Sequence, residues 1–239
     1  MHATIQKPIT EIVKHIQPGE KVFVVGCNNC AWKCHSGGEE ETKMMAKRLS
    51  DRGVEVSGYT VPGPLGMSLC KLSNTRKVLM EDYAKEVENT DSFLILGCGQ
   101  GVHTVIDATD GGMVHPGCDT IFGGETVSET EIQEFCSLCG DCIIEFTGGL
   151  CPLTLCAKQL LNGPCGGAEN GHCEVDSERP CGWILIYERL KKVGRLDLLE
   201  GYQPPKNNGK WSRARTLTVS PTEATFSSIA GKVTVSNQD

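Results

Sequence analysis

The chain predicts an α/β fold in its first half, a parallel sheet with helices on its faces. A loop-dominated region organised by metal follows. Two observations carry this. Short Val- and Ile-rich runs alternate with helix-like segments up to residue 108, and that order is the signature of a parallel sheet. Eight of the fourteen cysteines then fall between Cys136 and Cys181, a density that no apolar core needs.

Residues 4–16 place Ile5, Ile9, Ile12, Val13 and Ile16 on one face of a helix, with Pro8 in its first turn and Pro18-Gly19 as its stop. Lys21 to Gly26 (KVFVVG) reads as a buried strand. A charged helix is expected from Glu39 to Asp51, with Gly53 suited to its C-terminal cap. Val54 to Thr60 alternates and reads as a second strand, Asn74 to Glu88 as a helix, and Ser92 to Gly97 (SFLILG) as a third strand. Gln100 to Ala108 is helical, and residues 113–135 form a connector of weak strand character that ends in an acidic helix start. Right-handed crossovers bring the strand C-termini to one edge, where such sheets bind ligands. The fold class is thus Rossmann- or flavodoxin-like. Residues 1–130 are expected to form that domain with its own cluster site, 131–182 the cysteine-rich region, and 183–239 an amphipathic helix and tail that dock a partner. The tail from Gln203 is expected to be an extended arm or partly disordered.

Charge and composition remove several function classes. A net charge of −7 with no Lys/Arg run argues against nucleic acid, and thirteen aromatic residues give no base-stacking platform. No apolar run approaches the ~18–20 residues that cross a bilayer, and residues 1–16 lack the apolar core of a signal peptide. The expected location is the cytoplasm, where thiols stay reduced and dense cysteines point to metal or redox work.

Cys136-x2-Cys139-x2-Cys142 is the most specific local pattern. Two-residue gaps let one loop place successive thiolates around a single centre. With the later Cys151-Pro152 it resembles the run of bacterial ferredoxins, though the gap of eight residues departs from their three. Cys156, Cys165, Cys173 and Cys181 bring the region to eight thiols, enough for two [4Fe–4S] clusters. Structural zinc is the alternative, weakened because the second half has no C-x2-C knuckle. Cys27-x2-Cys30-x3-Cys34 forms a second triad at a strand end. Cys98 is the chosen fourth ligand, with Cys118 and Cys70 as alternatives. Twelve ligands in three sites leave those two as buried free thiols. Ser137 and Thr154 are candidate donors to sulfur. Gly97-Cys-Gly99-Gln-Gly101 lacks the spacing of a dinucleotide loop. His35, His103, His115 and His172 are more commonly structural beside glycines, and no carboxylate pair or Ser/His/Asp set stands out for catalysis.

The stretch from Thr147 through Cys151-Pro-Leu-Thr-Leu-Cys156 and Leu161-Asn-Gly-Pro-Cys-Gly-Gly167, then Gly171-His-Cys and Cys181-Gly-Trp-Ile-Leu-Ile-Tyr-Glu-Arg-Leu190, resembles the cysteine-rich C-terminal methylenetetrahydrofolate reductase family. With the Cys27/Cys30/Cys34 triad, residues 1 to 202 are similar to the MetV-type subunits of acetogenic bacteria. The resemblance implies a catalytic partner of the MetF type, whose flavin reduces methylenetetrahydrofolate to methyltetrahydrofolate. It also implies a non-catalytic subunit with two or three [4Fe–4S] clusters, or zinc at one site, taking electrons from an unidentified donor protein.

Overall fold

The computed structural model describes residues 1–211, 213–219, 223–228 and 231–236. The chain divides into two compact units, Met1–Ile132 and Gln133–Asp239.

The first unit opens with strand β1 (His2–Gln6), helix α1 (Ile9–Ile12) and a 3₁₀ turn, Val13–His15. Strand β2 (Lys21–Val25) and the one-turn helix α2 (Cys30–Lys33) come next, then α3 (Glu39–Ser50) and β3 (Glu55–Thr60). Helices α4 (Leu72–Lys77) and α5 (Ala84–Glu88) precede β4 (Ser92–Ile95), α6 (Gly99–Ala108) and β5 (Met113–Pro116). Strands β6 (Cys118–Gly123), β7 (Glu125–Thr126) and β8 (Ile132–Gln133) follow.

The sheet has the order β3-β2-β4-β5, and every neighbouring pair is parallel. Its two central strands, β2 and β4, are apolar on both faces because helices cover both. Phe23, Val25, Phe93 and Ile95 join Leu79 and Val105 in one core. Val22, Val24, Leu94 and Leu96 join Ile12, Met45 and Leu49 in the other. Phe23 meets Tyr83 edge-on with ring centres 5.7 Å apart. Gly58 is required opposite it, since a Cβ there would lie 2.6 Å from Phe23 Cε2.

Three expectations change. Residues 2–6 form a strand rather than the start of a helix, and β1 pairs antiparallel with β6. Pro8 explains this: its ring excludes the preceding residues from the same helix, so α1 begins after it. The connector supplies a fourth parallel strand, β5, and short strands where an acidic helix start was expected. The helix expected over 74–88 widens into a π-helical turn at Val78–Asp82, which no Pro or Gly marks.

In the second unit, α7 (Pro152–Leu155) and α8 (Gly182–Val193) flank long loops. Gly194 at φ +71° ends α8 with a left-handed cap. Trp183, Ile186 and Leu190 of α8 form a small core with Cys181. In the tail, β9 (Thr216–Val219), β10 (Glu223–Ser228) and β11 (Gly231–Ser236) pair as an antiparallel meander, where an extended arm or disorder was expected. The remaining tail residues lie outside the described set.

Candidate metal centres

All fourteen thiols are free of disulfides. In the first unit, Gly26 follows β2 because nothing larger fits: a Cβ would stand 2.1 Å from Thr42 Oγ1 and 2.4 Å from the Gly37 carbonyl. Cys27 comes next, buried, its amide donating to that carbonyl at 2.7 Å. The two asparagines between Cys27 and Cys30 are anchors. Asn28 Nδ2 donates to Gly63 O (3.0 Å), and Asn29 Nδ2 donates to Gly66 O (3.1 Å) and Ser68 Oγ (2.7 Å). Cys30 begins α2 and Cys34 caps its end, one turn apart on one face.

Strand β1 aims two amides at this face. His2 N–H donates to Cys30 Sγ and Thr4 N–H donates to Cys34 Sγ, each at 3.4 Å. Reading residues 4–16 as a helix hid these donors. The alternation of His2, Thr4 and Gln6 ahead of a proline was the signal for them. Cys98 is buried at the N-cap of α6, just beyond β4. A Cβ on its neighbour Gly97 would lie 3.7 Å from Cys27 Cβ, so the two segments run side by side. They meet between β2 and β4, where the strand order reverses and open sheets bind ligands.

The two leftover cysteines differ. Cys118 is buried, donates to Ser36 O at 3.4 Å, and burial pushes its thiol up to about 12. Its burial matches the expectation for it, and the Cys34 sulfur is near enough to add to the rise. Cys70 is exposed, not buried.

In the second unit, Cys156, Cys165, Cys173 and Cys181 line one small cavity with Trp183. Local packing explains how 26 residues of loop return there. Gly182 abuts α7: a Cβ on it would lie 2.6 Å from the Leu155 carbonyl, so Cys181 comes beside Cys156. The Cys181 amide donates to Gly171 O at 2.8 Å, which draws in the Cys173 loop. Cys165 lies between Gly163 (φ +109°) and Gly166 (φ +84°), conformations that L side chains rarely adopt. The amide of Val175 holds the Cys173 thiol below its ordinary range against desolvation, with the Asp176 amide and the Arg179 charge assisting.

Cys136, Cys139 and Cys142 lie on a loop turned by Leu138 (φ +55°) and Gly140 (φ +79°). The Leu138 amide donates to Cys136 Sγ at 3.4 Å. Burial alone would raise the Cys139 thiol, but the Asp141 backbone and the Lys206 ammonium bring it below the usual value. Lys210 Nζ sits 2.6 Å from Asp141 Oδ1, and Arg215 donates to Leu138 O at 3.3 Å, so Lys210 and Arg215 fasten this loop. Cys151 is half-buried at the N-cap of α7. Thr154 beside it donates to Phe135 O and Cys151 O, so its hydroxyl is occupied by backbone. Ser137 Oγ is buried, has no other hydrogen-bond partner, and faces the Cys139 thiol, which it helps to lower.

Among the described residues, no three His, Cys, Asp or Glu side chains already stand as a metal-holding group. The donor chemistry nevertheless fits a thiolate-bound metal: unpaired cysteines, backbone amides aimed at sulfur, and a buried hydroxyl facing Cys139. The four candidate histidines have partners, His172 Nδ1 standing 3.1 Å from Asn170 O. His115 Nε2 is 2.7 Å from Glu20 Oε1, His103 pairs with Asp107, and His35 lies 3.7 Å from Glu41.

Helix α8 turns Trp183, Ile186 and Leu190 inward and leaves Ile184, Leu185 and Tyr187 exposed. Within the segment expected to dock a partner, Leu190 is fully buried core and Leu196 is 37% exposed. An apolar pocket of ≈ 540 Å³ lies beside the helix, lined by Phe146, Trp183, Tyr187, Leu199 and Tyr202. No helix among the described residues is long and apolar enough to cross a membrane.

Residues 115–209 match the family described as methylene-tetrahydrofolate reductase C terminal, and through this segment the chain is related to methylenetetrahydrofolate reductase subunits. No curated protein and no solved structure matches the chain.

Proposed function

From the methylenetetrahydrofolate reductase relationship of residues 115–209, we propose that the chain is the iron–sulfur electron-transfer subunit of such a reductase complex. It would pass electrons from a donor protein to a flavin in a MetF-type partner, where methylenetetrahydrofolate is reduced. One observation carries this reading: four cysteines line a single cavity inside the matched segment. Cys156, Cys165, Cys173 and Cys181 would hold one cluster, and Cys136, Cys139, Cys142 and Cys151 a second. Cys27, Cys30, Cys34 and Cys98 would hold a third at the sheet edge. A bound cluster supplies reversible one-electron storage. The chain's own part is to fix the sulfurs, to donate amide hydrogen bonds that favour the more reduced state, and to limit water. The exposed apolar side chains of α8 and the adjoining pocket would seat the flavin subunit.

Zinc is the second reading, favoured by the same quartet, because four thiolates around one small cavity also suit a closed tetrahedral site. Anaerobic purification followed by iron, acid-labile sulfide and zinc analysis separates the two. Iron and sulfide in equal amounts, with an EPR signal on reduction, are expected. A colourless protein that contains zinc and no sulfide would sink the electron-transfer role. Cys173→Ala is expected to lower the metal content by one site's worth and to loosen the second unit, since metal binding contributes folding free energy.

A further inference from the structure

We propose that Lys206 is a positioning residue of the loop that carries Cys136, Cys139 and Cys142: a cation fastened beside the Cys139 sulfur, where it offsets the negative charge of the metal–thiolate centre and favours its more reduced state. This rests on the metal-holding role proposed for that loop and deepens it by naming the side chain that sets its charge.

The backbone explains how Lys206 arrives there. Asp141 stands between Cys139 and Cys142. Its carboxylate accepts from the Asn207 amide at 3.1 Å and from Lys210 Nζ at 2.6 Å. Fastening residue 207 fixes its neighbour, and Lys206 lines one cavity of ≈ 230 Å³ with Ser137, Cys139, Asn207 and Trp211. Gly140, at φ +79°, lets the segment come this close: a Cβ on it would lie 3.0 Å from the Lys210 carbonyl oxygen.

An exposed lysine is a mobile, solvated charge of little consequence. Lys206 is half-buried, and the backbone beside it is pinned. The Asp141 carboxylate, which would otherwise draw it away, is already held by Lys210 and the Asn207 amide. The Cys139 sulfur remains for it, and the Lys206 ammonium is one of the groups that hold that thiol below its ordinary range. Four thiolates leave a bound iron–sulfur centre net negative, and the electron it takes from the donor protein adds to that charge. A cation beside one sulfur therefore stabilises the reduced form more than the oxidised one.

The test is an EPR-monitored redox titration of the anaerobically purified full chain. In Lys206→Gln one signal should move to lower potential while the others stay. About tenfold less of that centre should be reduced at the parent's midpoint, which is about 59 mV for a one-electron couple. Lys206→Arg should keep the parent's value. Lys192→Gln, which removes the same charge from the exposed end of α8, should change nothing. No movement in Lys206→Gln, or an equal one in Lys206→Arg or Lys192→Gln, would overturn the proposal. A second measurement decides the matter if the chain carries zinc, the result that would remove the electron-transfer role by itself. Zinc on four thiolates is also net negative, so chelator competition should show it held severalfold less tightly in Lys206→Gln and unchanged in Lys206→Arg. Equal retention of zinc in the parent and Lys206→Gln would overturn the role of the cation.

Discussion

Single residues set the chemistry of this chain more than any element does. Cys118 and Cys70 show how far environment separates two identical side chains. Cys118 is buried, donates to a carbonyl and is pushed up to about 12, while Cys70 is exposed. Thiolate is the reactive form, so iodoacetamide at neutral pH should label Cys70 early and Cys118 only on unfolding, as read by mass spectrometry of quenched time points. Glu20 makes a different prediction. Burial would raise its carboxyl, but hydrogen bonds to its oxygens, from the His115 ring and the Gln17 amide among them, hold it below the usual 4.5. A depressed carboxyl contributes stability that is present above its unfolded pKa and is lost as pH falls through its folded one. Denaturation midpoints should therefore fall below pH ~4.5, and Glu20→Gln should flatten that part of the profile. The cysteines themselves were legible as ligand candidates from spacing. Their donors were not, because a backbone amide aimed at sulfur depends on pairing between distant segments.

At the scale of elements, the β2 and β4 runs were readable because strands buried on both faces are continuously apolar, and β3, at the sheet's edge, by its alternation. Strand β5 was not, since Met113-Val-His-Pro carries a proline and a histidine and lies at the sheet's edge, where both are tolerated. Helix α8 was correctly expected to be amphipathic, but periodicity alone could not say which apolar side chains face the core. Leu190 does, with no exposed surface. Leu190→Ala should destabilise the second unit by about 2–4 kcal/mol, measured by urea denaturation, and is no probe of docking. Leu196→Asp or Tyr187→Asp, at exposed positions, should leave that stability within about 0.5 kcal/mol while weakening co-purification of a flavin subunit.

At the scale of the whole molecule, the chain pairs a sheet-based unit with one rich in loops and cysteines. Among the described residues, the apolar core of the second unit centres on Cys181, Trp183, Ile186 and Leu190. The second half was legible as a composition and not as a fold, because its long loops, with eight cysteines between Cys136 and Cys181, carry no hydrophobic period. The antiparallel pairing of β1 with β6 has a consequence in time. His2 and Thr4 can be held against Cys30 and Cys34 only once Cys118–Gly123 exists to clasp the first strand. On the ribosome, then, the triad emerges early and waits through some ninety further residues of synthesis with its sulfurs undressed. Delivery of metal to that triad would be best timed to follow translation of β6, not the appearance of its own cysteines.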